Sequence, residues 1–356
     1  MKSLCWMLLA FLAGSLSALA GSVQVIEQGT LVKDGFHNAF PSIVEFDGAW
    51  YMSHRRATGH RRRDGVIPVY QSKDKGRTWQ EVALFRKESF DLRDPRLAVV
   101  NKQLTVYAGF TFIEPDGSSR HGVFAFRSSD GKKFEEFKVT GLTDSSFFWG
   151  CIPYKDGYVA TAYRRINNDK AMQASLYRSK DGANWQMFVT FPAENGNEVS
   201  MATDKTGELH CVIRRGIPGD RPLYCQVSEN GKITQNIELA EPLQGIMLYN
   251  TGDDFLLCAR HWKWRDQKNF KGRTKVQNDM FIMDKAGKLT FQQTLRSAGD
   301  CSYSFCVPDT NNELYIVYYS QHDYMERFRK EKNANPLTDK RPADICFARV
   351  KYSSKK

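Results

Sequence analysis

The sequence lacks three features that would define other classes of protein. After residue 20 it has no apolar run long enough to cross a bilayer, so we expect no membrane insertion. No Cys/His spacing is typical of a zinc site, and we predict neither a bound metal nor another cofactor. No nucleic-acid-binding motif accompanies the net charge of +11. Long segments with helical periodicity are also scarce, and the 13% aromatic content favours strands.

The first twenty residues are typical of a secretory signal and not of a folded domain. Lys2 precedes a short apolar run, and Ala18-Leu19-Ala20 supplies the small residues of a cleavage site ahead of Gly21. We therefore predict a signal peptide at 1–20 and a single domain over 21–356. The protein is expected to be secreted or periplasmic.

The eight cysteines predict at most a sparse set of disulfides. Cys5 lies in the signal, so seven remain, an odd number that leaves at least one thiol unpaired within the chain. Cys211 and Cys225 flank one predicted hairpin loop and are the candidate pair. Cys301 and Cys306 lie on one predicted strand, where they are expected to face opposite sides and not to bridge each other.

One pattern, an apolar strand, a Gly/Asp/Asn turn and a second apolar strand, recurs six times. The steps between its copies are 54, 55, 48, 46 and 58 residues. The equivalent first-strand positions are Pro41, Pro95, Gly150, Glu198, Gln244 and Ser302. A period near fifty made only of strands is typical of a β-propeller with one four-stranded antiparallel sheet per blade. We therefore predict an all-β, six-bladed propeller.

Three predicted turns share a second motif. Ser72–Trp79 has the full pattern S-x-D-x-G-x-T-W, while Ser179–Trp185 and Ser128–Phe134 are shorter versions, and 228–231 and 284–287 are eroded. In such a turn the Asp accepts backbone N–H groups and the Gly supplies a positive φ. These turns resemble the Asp boxes (BNR repeats) of sialidase-like propellers.

The resemblance to the sialidase-like glycosidases spans the whole chain after the signal. The segments from Asn197 to Arg215 and from Gly299 to Ser320 look like the fourth and sixth blade signatures of that superfamily. The N-terminal strand near Val23 to Ile26 is expected to close the ring against the last strand, near Ile345 to Val350.

The resemblance implies four catalytic or binding roles. Tyr303 corresponds to the nucleophilic tyrosine, Glu198 to the glutamate that accepts its proton, and Asp64 to the acid/base aspartate. Arg214 corresponds to one arginine of a carboxylate-binding triad. The first arginine of that triad is missing, because Ala39 occupies its place, and the third is either Arg260 or Arg273.

The face opposite the Asp boxes is predicted to gather a glycan site. Basic residues recur at the ends of the second strands in five of six blades, which favours an anionic ligand. Besides Arg214 and Arg260, the substrate-binding candidates are Arg55, Arg93, Arg164, Trp149 and Asp300. For Arg93 an internal salt bridge with Asp91 or Asp94 is the alternative. Trp149 offers a ring on which a sugar can stack.

Three functions fit these residues. The first is a secreted glycoside hydrolase that cleaves a terminal, acidic sugar with retention through Tyr303 and Glu198. The second is a non-catalytic glycan-binding propeller, in which the missing arginine at Ala39 marks lost turnover. The third is a polysaccharide lyase acting on uronate-containing glycans. The oligomeric state is left open by the sequence.

Overall fold

The structure is a computed structural model that describes residues 21–166, 171–216, 220–266, 271–310, 312–325 and 341–353. The predicted secretory signal at 1–20 lies outside these residues, so it stays a prediction. The side chains of 264–275, including Arg273, are also outside the description. Within the described ranges, no helix has the length and apolarity needed to cross a bilayer.

Strands make up nearly all the regular secondary structure of the described residues. A 3-10 turn at His322–Tyr324 follows β23. In chain order, the strands are β1 Ser22–Val32, β2 His37–Phe46, β3 Ala49–Ala57, β4 Ile67–Ser72, β5 Gln80–Phe85, β6 Asp91–Val100, β7 Gln103–Ile113, β8 Ser119–Ser128, β9 Glu135–Phe137, β10 Phe147–Tyr154, β11 Gly157–Ile166, β12 Ala171–Ser179, β13 Gln186–Thr190, β14 Gly196–Thr203, β15 Leu209–Arg215, β16 Leu223–Val227, β17 Ile233–Glu238, β18 Leu243–Asn250, β19 Phe255–Asp266, β20 Lys271–Met283, β21 Leu289–Leu295, β22 Ser302–Pro308, β23 Glu313–Ser320 and β24 Asp344–Ser353.

These strands form six four-stranded antiparallel sheets, as the repeat predicts. Blades one to five each use four consecutive strands, beginning with β2, β6, β10, β14 and β18. Blade six has the order β22-β23-β24-β1, so the N-terminal strand completes the last sheet. β1 pairs with β24 from Ser22 opposite Ser353 to Val32 opposite Ile345. The predicted ring closure is therefore confirmed, over a longer strand than the sequence indicated.

The core lies between neighbouring sheets. One cluster joins blades one and two, where the rings of Phe85 and Phe126 stack at 4.1 Å. Another joins blades two and three through Tyr107 and Phe148, whose ring centroids are 4.4 Å apart. Burying one such side chain contributes about 1.5–3 kcal/mol, so each sheet depends on its neighbour for stability.

The predicted Asp-box turns have the expected local hydrogen bonds. Asp74 accepts the backbone N–H of Thr78 at 2.9 Å, and Ser72 Oγ accepts the N–H of Gly76 at 2.8 Å. Asp130 and Asp181 accept backbone N–H groups of their own turns in the same way. All three turns join the third and fourth strands of their blades, so they share one face of the propeller with the turns between first and second strands.

The cysteine pair considered from the sequence does not form a disulfide. Cys211 and Cys225 lie opposite each other on β15 and β16, yet all seven described cysteines are free thiols. Both are fully buried, and burial raises the pKa of Cys225 to about 12 and that of Cys211 well above its usual value. Disulfides form through the thiolate, which this environment disfavours.

Candidate active site

Each of the six innermost strands has an irregularity near its start, on the face away from the Asp boxes. The pairing register shifts there in every blade. The residues at these shifts include Phe40, Asp94, Trp149, Glu198, Gly245 and Tyr303. Phe40, Asp94 and Tyr303 have φ values of 57°, 43° and 52°, which side-chain-bearing residues rarely adopt. A bulge re-aims its side chain, and strained backbone concentrates at functional sites.

Tyr303, Glu198 and Arg214 form a hydrogen-bonded triad. The Tyr303 hydroxyl donates to Glu198 Oε1 at 2.8 Å. Arg214 Nη1 donates to that same carboxylate oxygen and to the Tyr303 oxygen, the latter at 3.0 Å. Blades four and six thus bring together residues 105 positions apart in the chain. The geometry places a phenol, a proton acceptor and a fixed cation within hydrogen-bonding distance.

Aromatic rings surround the phenol of Tyr303, which is 6% exposed. Phe40 meets it edge-on with ring centroids 5.0 Å apart, and Trp149 lies at 5.7 Å. Burial raises the pKa of Tyr303, the Arg214 guanidinium opposes this, and the net value stays above normal. The phenol is therefore protonated at neutral pH until a base takes the proton.

Asp300 is the centre of a second cluster beside Tyr303. Its Oδ1 accepts hydrogen bonds from Arg260 at 2.8 Å and from the Tyr319 hydroxyl at 2.6 Å. Its Oδ2 lies 2.6 Å from His60 Nδ1 and 3.2 Å from His37 Nε2. Burial alone would raise the pKa of Asp300, but these cationic and donor groups hold it well below its usual range. The carboxylate is therefore charged.

Arg260, predicted as part of an anion clamp, is already engaged by the protein. Its Nε donates to the carbonyl of Cys301 at 2.9 Å, and its Nη2 donates to Asp300 and Tyr319. The guanidinium carbon lies 5.2 Å from the centre of the Tyr303 ring. Arg260 thus adjoins the triad, while its charge is matched by Asp300.

Blade two contributes the internal salt bridge that the sequence offered as the alternative role of Arg93. Arg93 Nη1 donates to Asp91 at 3.1 Å, and its Nε lies 3.8 Å from Asp94. Burial raises the pKa of Asp94, and the negative charge of Glu198 raises it further. The positive charges of Arg93 and Arg96 lower it, but the net shift is upward. Substrate contact by Arg93, whose side chain is 18% exposed, stays a prediction.

Arg55, a predicted substrate ligand, instead supports the loop between β3 and β4. Its side chain has no exposed surface. It donates to Asp91 at 2.8 and 3.1 Å and to the carbonyls of Gly59 at 3.2 Å and Arg62 at 2.6 Å. Full burial leaves no atom for a ligand in this arrangement, so the sequence-based role does not fit the observed position.

The remaining predicted residues lie at three separate places. Asp64 is exposed, and its side chain stabilises the loop in which it lies. Both carboxylate oxygens accept the backbone N–H of Thr58, at 3.2 and 3.3 Å. Arg164 is half-buried on β11 opposite Gln173. Trp149 is 6% exposed, and the Arg96 guanidinium covers its ring at 4.2 Å, which leaves little surface for a sugar. Ligand contact by these residues is untested.

Three site residues were missed by sequence reasoning: His37, His60 and Tyr319. His60 lies in a run of basic residues, and the sequence interpretation used it only as part of that positive charge. His37 directly precedes the Asn38-Ala39 stretch that replaces the missing arginine motif. Tyr319 is the next-to-last residue of β23, in the ring of second-strand ends that contains Arg55 and Arg214. This position near the end of a second strand could have predicted that Tyr319 contributes to the site.

Comparison with known proteins places this arrangement among propellers. Neither a protein-family model nor a curated protein matches the chain. A solved Dyadobacter fermentans protein of unknown function matches with a TM-score of 0.74 and 16% identity, over 93% of this chain and all of that one. A Trypanosoma rangeli sialidase with the inhibitor DANA matches with a TM-score of 0.62 and 13% identity, over 89% of this chain and 55% of the sialidase. The fold is a sialidase-like six-bladed propeller.

The glycosidase neighbours are longer than this chain. A Bombyx mori GH32 β-fructofuranosidase matches with a TM-score of 0.54 and 12% identity, over 89% of this chain and 60% of the enzyme. The present chain thus spans little more than half the length of these two enzymes. At such low identities the similarity shows the shared propeller fold.

Two groups on this sialidase-like propeller have potential metal-ligand atoms within 4.8 Å of one another among the described residues. They are His37, His60 and Asp300, and Asp204, Glu208 and His210. In the second group Lys285 Nζ donates to Asp204 Oδ2 at 2.5 Å and already supplies a cation. In the first, both imidazoles approach the same Asp300 oxygen. Hydrogen bonds therefore account for both clusters.

Proposed function

We propose that this protein is a glycoside hydrolase that removes a terminal, acidic sugar from glycans with retention of configuration. The single observation on which the proposal rests is the Tyr303–Glu198–Arg214 triad at the centre of the propeller face away from the Asp boxes. Because the sequence predicts a secretory signal at residues 1–20, we also propose that the enzyme is exported.

The triad suits a two-step displacement. Tyr303 attacks the anomeric carbon, and its proton passes to Glu198 along the 2.8 Å hydrogen bond. Arg214 contacts both oxygens and stabilises the negative charge whether it lies on the carboxylate or on the phenolate. The covalent sugar–tyrosine intermediate is then hydrolysed, and the proton returns from Glu198 to Tyr303.

A tyrosine nucleophile favours an acidic substrate. Most glycosidases attack with a carboxylate, which an anionic group at or near the anomeric carbon repels, whereas a neutral phenol avoids that repulsion. Around the site, arginines exceed carboxylates by one charge. The groups are Arg55, Arg93, Arg96, Arg214 and Arg260 against Asp91, Asp94, Glu198 and Asp300.

The acidic sugar is proposed to differ from sialic acid. The triad of arginines that the superfamily resemblance implies is incomplete, because Ala39 has no charge and Arg260 is neutralised by Asp300. Losing a charge-assisted hydrogen bond weakens carboxylate recognition by about 1.5–3 kcal/mol. We expect an acidic sugar whose carboxylate lies beside the anomeric carbon in a different orientation to be a better substrate than sialic acid.

The proposal is tested by measuring sugars released from sialylated, uronate-rich and neutral glycans by the wild type and by Tyr303→Phe. We expect a loss of at least about 10³-fold in turnover, because the nucleophile is removed. Tyr315→Phe is the matched control, since that tyrosine lies in the same sheet but bonds to Gly76 on the Asp-box side. Full activity of Tyr303→Phe would end the assignment, and a product with ultraviolet absorption would show a lyase.

A non-catalytic glycan-binding propeller is the second candidate. It is favoured by the same Ala39 and by the neutralised Arg260, because an incomplete set of arginines holds a substrate carboxylate less firmly in the position needed for reaction. A binding protein would retain labelled glycans on an array and release no sugar from any of them.

A further inference from the structure

The loop between β3 and β4 contains a histidine held in a defined position beside the nucleophile. His60 packs edge-on against Phe40 with ring centroids 5.7 Å apart, and the same Phe40 ring meets Tyr303 at 5.0 Å. Its Nδ1 lies 2.6 Å from Asp300 Oδ2. One phenylalanine ring therefore separates the imidazole from the phenol.

Arg55 fixes the backbone on both sides of His60. Its guanidinium donates to the carbonyls of Gly59 and Arg62, the residues that flank His60 and Arg61. Asp91 anchors that guanidinium and also accepts the N–H of Gly65 at 3.1 Å. The fully buried Arg55 side chain thus holds the backbone of an otherwise exposed loop. The ion pair with Asp91 offsets the free energy that is needed to bury the Arg55 charge.

The hydrogen bond to Asp300 fixes the orientation of the imidazole. A charged carboxylate facing Nδ1 at 2.6 Å keeps a proton on that nitrogen, so Nε2 is the ring atom left to exchange a proton with a ligand. Nε2 has no hydrogen-bond partner among the described residues and is not one of the buried unpaired atoms, so it is open to solvent. The side chain is 22% exposed. The charged and titratable groups around it include Asp300, His37, the Arg55 guanidinium on the loop backbone and, through Asp300, Arg260 and Tyr319.

We propose that His60 is the general acid/base of the reaction and that Asp300 is its positioning residue. This inference rests on the proposed function, because it assigns a role within the same glycosidase site. It replaces the aspartate that the superfamily resemblance places at Asp64 with a histidine four residues earlier on the same loop.

The proposed step balances without any co-reactant other than water. As the Tyr303 oxygen bonds to the anomeric carbon, the bond to the leaving oxygen breaks. That oxygen keeps the electron pair and takes the proton from His60 Nε2. In the second step neutral His60 removes a proton from water, whose oxygen attacks the anomeric carbon and displaces Tyr303. The phenolate recovers its proton from Glu198, and the enzyme is restored.

Two carboxyl groups compete with His60 for this role. Asp64 uses both oxygens to accept the N–H of Thr58 and closes its own loop. Asp94 lies at the irregular start of β6, 3.8 Å from Arg93 Nε, and is close enough to Glu198 to be affected by its charge. A test of His60 must therefore include both of these residues.

The test compares two substrates with the same sugar, one with a nitrophenyl leaving group and one with an alkyl alcohol. The variants are His60→Asn, Asp64→Asn, Asp94→Asn and Tyr303→Phe, with Arg61→Asn as the matched loop control. Asparagine can donate to Asp300 as Nδ1 does, but it lacks Nε2. Since nitrophenolate departs without a proton, only the alkyl glycoside needs the acid.

For His60→Asn we expect kcat/KM, which reports the first step, to fall by about 10²–10⁴-fold on the alkyl glycoside and by less than about tenfold on the nitrophenyl glycoside. The kcat of the nitrophenyl glycoside should fall as well, because hydrolysis of the intermediate has lost its base. Azide should restore turnover of the nitrophenyl substrate and give a glycosyl azide, because it attacks the intermediate without base assistance. An equal loss on both substrates, or this selective pattern in Asp64→Asn or Asp94→Asn instead, overturns the assignment.

The same experiment separates this inference from the proposed function. If Tyr303→Phe retains full activity while His60→Asn shows the selective loss, the nucleophile is wrong and the acid assignment stands. If Tyr303→Phe is inactive and His60→Asn loses the same activity on both substrates, Tyr303 remains the nucleophile and the acid/base assignment of His60 is wrong.

Discussion

The two faces of the propeller use carboxylates in opposite ways. On the Asp-box face, Asp74, Asp130 and Asp181 accept backbone N–H groups from within four residues of themselves. On the other face, Glu198 and Asp300 accept hydrogen bonds from side chains 105 and 240 positions away. The first kind of contact stabilises a turn, and the second exists only when the blades have come together around the axis.

The difference predicts which substitutions affect folding, activity or both. The largest effect is expected for Arg214→Met. It leaves Glu198 buried without its cation, which costs about 3–5 kcal/mol when a buried pair is broken. Urea unfolding measures this loss, and turnover should disappear with it because Arg214 also contacts Tyr303.

Arg215→Met is the control for this substitution. Arg215 is the next residue on β15, but its partner is the exposed Glu238, and a pair of that kind contributes only about 0–1 kcal/mol. Equal destabilisation by the two variants would contradict the proposed difference between the faces.

A smaller effect is expected for Gly245→Ala. An added Cβ would lie 3.0 Å from two carbons of the Tyr303 ring, and the φ of 54° is unfavourable for alanine. The backbone cost is about 1–2 kcal/mol, and the displaced phenol should lower turnover by about 10-fold or more.

Gly35→Ala isolates the backbone part of that effect. Gly35 also has a positive φ, of 83°, but a Cβ there meets nothing within 4 Å. Turnover should be unchanged in this variant and reduced in Gly245→Ala, as measured at equal concentrations of folded protein. Equal turnover in both would show that the Tyr303 ring is not held by its neighbour.

The smallest effect is expected for Asp74→Ala in the first Asp box. The Thr78 hydroxyl and N–H lower the pKa of Asp74 to about 2, from an ordinary value of 3.8. A lowered folded-state pKa stabilises the protein above the ordinary value, and this contribution is lost as the pH falls towards 2. The Tm difference from wild type should therefore be constant near neutrality and shrink below about pH 4. Lost activity at neutral pH would contradict a purely local role.

Most of the fold could be predicted from the sequence because its determinants are local and repeated. The strand–turn–strand pattern at Phe40 and at Ser302, and the Asp box at Ser72, can each be recognised within about fifteen residues. The pairing of β1 with β24 was predicted because a propeller must close its ring of blades. The sequence indicated this strand only near Val23 to Ile26, whereas β1 extends to Val32.

The site was only partly predictable. Tyr303, Glu198 and Arg214 were brought together as the resemblance implied, while their catalytic roles stay predictions. The partnership of His60 with Asp300 has no local signal, since 240 residues separate them. The burial of Arg55 was equally hidden, because a basic run predicts a solvated surface unless the acceptors, here Asp91 and two loop carbonyls, are known.

The shared sheet of β1 and β24 makes the order of synthesis differ from the order of assembly. Ser22–Val32 emerges early but has no partner until Asp344–Ser353 has been made, more than three hundred residues later. Until then the blade that contains Tyr303 lacks its outer strand. A protease or a competing strand that detached this one segment would therefore disturb the sheet of Tyr303 from its rim, while the pairing within the other five sheets stayed unchanged.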